Sequence, residues 1–351
     1  MKKIINYTGT LSFAIEGNLL AIVRERTVIV VFKNLCLQFK ENTEFDLQEI
    51  HLNNDIVWVN TLIDGLGITV EGHVLARKPF FIKGIDSEHN LFCSLAQNGA
   101  KVDNDGLVLW HVPEKFFIFL IGGFFYYVKN QIELAVIAAS GQEIWKYLLP
   151  LNSYAMGEYG IAQTDRIERI IGEYNGLVWI VTNLGHLIGL SIQNGIVVHY
   201  LTVPVNTPAS WGTWEIFMSA VKGVIDQNSG ILFGLDNKTY WECNLNDPEN
   251  TYLYYDISET CTANNISANM AGYYAKWQDD EIIFGQQEFG TYPSYVGIFN
   301  RKSKQITWTS REMGDEGIFR GLRQIDYLNN RLYVLDAEQT LHVFEREGLI
   351  V

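Results

Sequence analysis

Acid–base or metal chemistry in this chain would have to come from its histidines and carboxylates, and neither is spaced for it locally. The seven histidines are His51, His73, His89, His111, His186, His199 and His342, and no two stand in an HxH, HxxxH or HExxH arrangement. No short segment therefore offers two imidazoles on one face to a metal. Carboxylates cluster twice, as Asp279, Asp280 and Glu281 in WQDDEIIF and as Glu312, Asp315 and Glu316 in REMGDEGIF. Paired carboxylates can hold a cation or act as acid and base. Both clusters lie just before apolar runs and lack the DxDxDG spacing of a calcium loop, so they read as solvated turn residues. No GxSxG or phosphate-cradling glycine loop occurs, and GLGITVEG (65–72) reads as a strand with a turn at each end. No catalytic residue, metal or cofactor is assigned. The enzyme alternative is a hydrolase or lyase whose histidine and carboxylate groups meet only in the fold, at the mouth of a channel.

Cys36, Cys93, Cys243 and Cys261 are at least 18 residues apart, which rules out CxxC chemistry. They are expected to be buried or inert thiols in a reducing compartment. Lys and Arg number 26 against 40 Asp and Glu, a formal charge of −14. That balance repels nucleic-acid phosphate and anionic lipid and attracts basic proteins. The opening MKKIINYTGTLSF has two lysines, but Asn6, Thr8, Gly9, Thr10 and Ser12 interrupt the apolar stretch a signal peptide needs. No window reaches 18 uninterrupted apolar residues. A cytoplasmic location without membrane contact is expected.

Three long loops mix aromatics with glycine. LNSYAMGEYGIAQTDR (151–166) holds Tyr154, Tyr159 and Arg166; VPVNTPASWGTWEIF (203–217) holds Trp211 and Trp214; QEFGTYPSYVG (287–297) holds Tyr292 and Tyr295. Exposed Tyr, Trp and Arg bury much area at low entropy cost and are typical partner-binding anchors. These seven residues are the candidate contact set. The alternative is that the loops fold inward and their rings plug a central channel.

The elements that must carry these loops repeat. LAVIAASGQEIWKYLLP (134–150) is two apolar strands around a Ser-Gly turn, with Trp145 four residues past the glycine. The pattern of apolar run, polar turn and alternating strand returns around Gly99, Gly195, Glu249, Lys304 and Gly348, at intervals of 42 to 55 residues, with a weaker copy around Asn34. Gly, Asn and Pro supply the backbone angles tight turns need. A second apolar run precedes each hairpin, as in YNGLVWIVTNLGHLIGL (174–190) and LNNRLYVLDAEQTLHVF (328–344). Four strands per unit and about 50 residues per period suit a propeller blade. Trp145 is then explained as a flat ring filling the gap between adjacent sheets, with His199 and Trp308 equivalent and Tyr252 nearby. Residues 153–173 offer the best helical spacing and are expected to carry one short helix.

The hairpin resembles the repeat of the quinoprotein-like (PQQ-like) β-propellers, whose blades carry an LYALD-type strand, an xTG turn and a Trp about four residues later. LAVIAASGQEIWKYL and LYVLDAEQTLHVFEREG (332–348) carry the likeness. The adjacent cysteines of the enzymatic members are missing, so the resemblance implies the fold and not that activity. WD40-like features are limited to a lone Gly185-His186, with no closing Trp-Asp. The expected fold is all-β: one β-propeller over residues 1–351, of seven four-stranded blades, closed by segment 2–8 joining the C-terminal sheet. The expected function is a non-catalytic binding module for a protein partner, with a basic partner favoured. One specific version is an immunity-type protein that neutralises a cationic toxin.

Overall fold

The structure, a computed structural model, describes every residue except 63, 79, 86–89, 96–97, 104–106, 113–116, 122–123, 139, 152, 157–160, 203–205, 210–211, 216–222, 237, 267–270, 288–294, 311–321 and 347–351. Two compact units are present, one of residues 1–115 and 269–351 and the other of residues 116–268. The described residues form eight four-stranded antiparallel sheets. The first unit holds sheet 1 (residues 10–42), sheet 2 (50–78), sheet 3 (81–112), sheet 7 (271–310) and sheet 8 (322–345 with Lys2–Tyr7). The second holds sheet 4 (117–148), sheet 5 (167–202) and sheet 6 (224–256), together with two isolated hairpins and the one helix among the described residues, Ser258–Ala263.

The inner strands of sheets 1 and 5 read as near-continuous apolar runs because both of their faces are covered. Leu19–Arg24 and His186–Ser191, for example, are buried at five of six positions. Within each unit, successive sheets share cores. Val31 and Val23 of sheet 1 pack with Val57 and Ile68 of sheet 2, and Val136 and Trp145 of sheet 4 pack with Ile180 and Leu190 of sheet 5.

A cross-strand pair recurs inside the sheets. Trp58 faces Gly67, Trp179 faces Gly189, Trp241 faces Gly234 and Phe284 faces Gly297 on adjacent strands. Each aromatic ring lies over the space that a glycine leaves, so a large ring fits within one sheet's thickness.

The register explains the tryptophan after the hairpin turn. Between strands three and four it slips by one residue at Gln38, Leu75, Leu109, Ile144, Val198 and Thr307. These are β-bulges, which reset the alternation of side chains. The residue after the bulge is Phe39, Trp110, Trp145, His199 or Trp308, with Ala76 the exception. Without the slip at Ile144, Trp145 would point to the other face. With it, Trp145 is buried, donates its indole N–H to the Ile192 carbonyl of sheet 5 at 2.5 Å and covers Gly195. Trp308 likewise meets Phe344 of sheet 8 edge-on at 5.5 Å. His199 and Tyr252 instead stack on Trp179 and Trp241 of their own sheets.

Three sequence expectations change or sharpen. Eight sheets stand where seven units were expected, because sheet 2 has Ala76 in place of the aromatic and a charged outer strand, Val74–Lys78. No helix forms in the described part of 153–173; Ile167–Tyr174 is the first strand of sheet 5. Its register slips twice, at Glu168 and Ile171, and these slips give Ile167, Ile170 and Ile171 a helix-like spacing. Strand Lys2–Tyr7 pairs antiparallel with Leu341–Glu345 as the fourth strand of sheet 8, with a bulge at Ile4 matching the outer bulges elsewhere.

Candidate functional site

Of the seven expected contact residues, Tyr159, Trp211 and Tyr292 lie outside the described residues. Tyr154 sits on hairpin Ser153–Met156/Ile161–Thr164, opposite Gln163, and Trp214 on hairpin Asn206–Ala209/Gly212–Glu215, opposite Thr207. The first hairpin interrupts the connection from the fourth strand of sheet 4 to the first strand of sheet 5. The second interrupts the same connection from sheet 5 to sheet 6. In an antiparallel meander these connections leave from the edge that also carries the turns between strands two and three. Arg166 lies at the foot of the first hairpin, exposed, with its backbone N–H donating to Asn183 Oδ1 at 2.7 Å and its guanidinium 3.4 Å from Gln131 Oε1. Tyr295 is corrected: it is only 1% exposed. It opens the third strand of sheet 7, which is covered on both faces, so its ring belongs to the core and is no surface anchor.

Two buried Asp–His pairs went unseen in the sequence, because their members are distant or carry no motif. Asp165 Oδ2 lies 2.7 Å from His186 Nδ1, and Thr182 Oγ1 accepts the His186 backbone N–H at 3.1 Å. Asp336 Oδ2 lies 2.8 Å from His342 Nε2, and Asp336 Oδ1 accepts the Thr340 N–H at 2.8 Å. The geometry is that of an acid–base dyad, but all four residues are at most 4% exposed. Sealed from substrate, they tie the turn between strands two and three to its neighbours. Thr61, Asp64 and Arg77 form a comparable tie in sheet 2.

The acidic cluster at 279–281 is used in ion pairs, Asp280 with Lys302 at 2.5 Å and Glu281 with Arg346 through two contacts of 2.7 Å. Glu312, Asp315 and Glu316 lie outside the described residues. Among the described residues, no three His, Cys, Asp or Glu side chains cluster to hold a metal ion, and no helix is long and apolar enough to cross a membrane. Cys93, Cys243 and Cys261 are buried, and burial pushes the thiols of Cys243 and Cys261 up to about 11. Cys36 is exposed on the outer strand of sheet 1.

A cavity of about 590 Å³ opens in the first unit against the first strands of sheets 8, 1, 2 and 3. Arg323 and Gln324 reach it from sheet 8 and Ser12 from sheet 1. Gln48, Glu49 and His51 reach it from the lead into sheet 2, over apolar walls that include Phe13 and Phe81. Local contacts fix the polar groups. Gln324 Nε2 donates to the Phe13 carbonyl at 3.0 Å, Ser12 Oγ lies 3.4 Å from the Ile50 N–H, and Asn60 Nδ2 lies 3.4 Å from Glu49 Oε2. Among the described residues, one histidine and one carboxylate line this cavity.

No family model matches the sequence, and no curated protein does. Solved structures do resemble it. BamB from Moraxella catarrhalis aligns with a TM-score of 0.63 and 11% identity over 98% of this chain and 99% of its own. Sqt1 from Saccharomyces cerevisiae aligns with a TM-score of 0.64 and 9% identity over 99% and 100%. A dihydro-heme d1 dehydrogenase, NirN, aligns at 0.54 and 9% over 85% and 64%. These are β-propeller proteins, and the chain shares their nearly all-β architecture of four-stranded antiparallel sheets. With an enzyme among such neighbours, the likeness fixes the fold and leaves the activity to the site.

Proposed function

We propose that the chain is a non-catalytic β-propeller whose eight sheets are the blades of one ring, closed where Lys2–Tyr7 completes sheet 8, and that it serves as a binding module for a protein partner. The observation that carries this reading is the pair of extra hairpins at 153–164 and 206–215. They add nothing to any four-stranded sheet, and they interrupt the same connection in consecutive sheets. Loops raised from one edge of a rigid scaffold are where binding function concentrates. Tyr154, Tyr159, Arg166, Trp211, Trp214 and Tyr292 are the proposed contacts. The charge of −14 favours a basic partner through electrostatic steering. A cytoplasmic immunity-type role against a cationic toxin is the specific form that this charge supports.

The test replaces each hairpin with a short Gly-Ser linker and compares partner capture with the intact chain, followed by affinity measurement at rising salt. Loss of the partner with unchanged thermal stability, and an intact-chain Kd that weakens steeply with salt, support the reading. A partner retained without both hairpins overturns the site, and a Kd indifferent to salt overturns the basic partner.

A further inference from the structure

From Tyr174 to Trp214 the chain carries no Asp, Glu, Lys or Arg, 41 consecutive residues in a sequence that is 19% charged. Burial accounts for part of this run. Strands Leu177–Thr182 and His186–Ser191, the second and third of sheet 5, are covered on both faces and have no use for charge. Burial does not account for the outer strand, Val197–Thr202, which is the edge of its sheet. Ile196, Val197, Val198 and Tyr200 are all exposed there, Ile196 at 61% and Val198 at 52%.

A sheet edge presents a row of backbone N–H and C=O groups that invites another strand, and charged side chains are the usual defence. Most outer strands of this chain follow that rule, with Lys40 in sheet 1, Arg77 in sheet 2, Lys146 in sheet 4, Asp256 in sheet 6 and Lys2 in sheet 8. Sheet 7 exposes the polar Gln305 and Thr307. Sheet 3 has an apolar edge, Val108–Val112, but Asp103, Asp105 and Glu114 bracket it in sequence. Neither defence is present at sheet 5. Val198 is its bulged residue, and from His199 to Thr202 the strand runs in unbroken register with Gly189 to His186, so its far side offers an extended backbone edge. Glu249, in the turn before the outer strand of sheet 6, approaches this edge with its carboxylate 3.7 Å from His199 Nδ1.

We infer that the outer strand of sheet 5 pairs antiparallel with the same strand of a second copy of this chain, across a two-fold axis. Charge selects this occupant. Two bodies of −14 repel wherever their charged faces meet, and an edge with no charge of its own is where they can touch. A basic partner, by contrast, finds no carboxylate on this strand to steer it. Depletion of charge together with exposed aromatic side chains is what interface cores show, and β-branched and aromatic residues pair well across strands. A two-fold contact is closed, so assembly stops at two chains. A strand edge buries less than the ~800 Å² per partner of a standard interface, so the dimer is a weak one. The contact uses the strand and not the hairpins at 153–164 and 206–215, so its failure leaves the partner-docking proposal standing, and the reverse also holds.

Sedimentation equilibrium of the full chain over a concentration series tests this. The average mass is expected to rise from that of one chain toward that of two, and to rise further at higher salt, which screens the repulsion between the acidic bodies. Val198→Lys sets two like charges near the axis and is expected to weaken the dimer about tenfold or more. Leu75→Lys is the control: Leu75 is 53% exposed, sits at the equivalent bulge of sheet 2 and changes the net charge by the same amount, so this variant is expected to dimerise like the parent. Both positions are exposed, so Tm should stay near that of the parent in each. Hydrogen exchange locates the contact, since amides of residues 196–202 should exchange more slowly at high concentration than at low in the parent but not in Val198→Lys. A mass of one chain at every concentration and salt overturns the dimer, and growth past two chains overturns the two-fold contact. Equal weakening by both lysine variants, or concentration-dependent protection confined to other segments, overturns the assignment to sheet 5.

Discussion

Alanine at the glycines that face aromatic rings is expected to destabilise the protein in an order set by geometry. A Cβ on Gly189 would stand 3.1 Å from the Trp179 ring, one on Gly67 2.9 Å from Trp58 and one on Gly234 2.6 Å from Trp241. These values are about 0.4, 0.6 and 0.9 Å short of the ~3.5 Å at which carbon atoms make contact. Gly297 against Phe284 is tighter again. The rings have little room to retreat. Trp58, Trp179 and Trp241 are fully buried, Trp179 is stacked on His199 at 5.6 Å and Trp241 on Tyr252 at 6.0 Å. Overpacking a core typically costs about 1–3 kcal/mol, and the Gly→Ala gain from a stiffer unfolded chain returns about 0.4–1 kcal/mol. The expected net loss is therefore below ~1 kcal/mol at Gly189, rising to ~2 kcal/mol at Gly297. Gly17 and Gly176 serve as controls, since a Cβ there meets nothing within 4 Å and only their positive φ is strained. The assay is urea unfolding followed by tryptophan fluorescence, comparing midpoints at unchanged slope. A second comparison separates rigidity from distance. A Cβ on Gly285 meets the methyl ends of Leu322 and Ile325 more closely than the one on Gly297 meets its ring, but those methyls can rotate away. Gly285→Ala is expected to cost less than Gly297→Ala. An inverted order among the ring-facing glycines, or losses no greater than those of the controls, would refute the claim that rings filling glycine space set the sheet interior.

Three further outcomes are expected. Deleting Lys2–Tyr7 strips sheet 8 of its fourth strand and of Ile5 and Tyr7, which pack on the Leu341 and Val343 core. At a loss of ~3–5 kcal/mol and ~2–4 °C per kcal/mol, Tm falls by roughly 6–20 °C, and an unchanged Tm would refute the strand's structural role. Burial raises the Glu173 carboxyl above its ordinary value while the Tyr126 hydroxyl, donating at 2.5 Å, partly opposes the shift. A raised folded value means its contribution is fully present below the usual glutamate range and is lost as pH climbs through the folded value. Glu173→Gln should therefore exceed the parent in Tm at pH 8, with the gap closing toward pH 4; a gap that widens in acid would contradict the sign. Maleimide on the native protein is expected to label Cys36 rapidly and spare Cys93, Cys243 and Cys261 until denaturant is added, as peptide mass mapping would show.

The hairpin period was legible in the sequence because turn chemistry is local. Ser140-Gly141 and Asn194-Gly195 announce tight turns whatever surrounds them, and Gly141 and Gly195 do hold positive φ. Sheet 2 was harder to see, since Gly72 marks its turn but Ala76 and the charged Arg77 and Lys78 leave its outer strand without an aromatic or an apolar alternation. Bulges were invisible for a different reason. One extra residue shifts the alternation of everything after it, and nothing in Ile144 or Val198 distinguishes a bulged residue from a regular one. The first strand of sheet 5 shows the consequence, because two slips made a strand look helical. The Asp165–His186 and Asp336–His342 ties needed coordinates: the turn that brings each pair together is clear only once the strands are registered. Tyr295 misled for the same reason, since an aromatic beside glycines reads as a loop anchor until its strand is seen to be covered on both faces.

The recurring features of this chain divide by what determines them. Glycines under rings and aromatics after outer bulges sit where packing dictates residue type, so their identity says little about function. The first bulge of the inner strand behaves differently. A first-strand slip occurs in sheets 1, 3, 5, 7 and 8; its occupant is Leu11, packed on the core shared with sheet 2, in sheet 1, and the exposed Glu168 and Arg323 in sheets 5 and 8. A fixed backbone with a variable side chain is what lets one architecture serve many ends. Leu11 packs against the core of sheets 1 and 2 whereas Arg323 is exposed, so Leu11→Arg is expected to lower the Tm and Arg323→Leu to leave it largely unchanged, as thermal unfolding of the two variants would show.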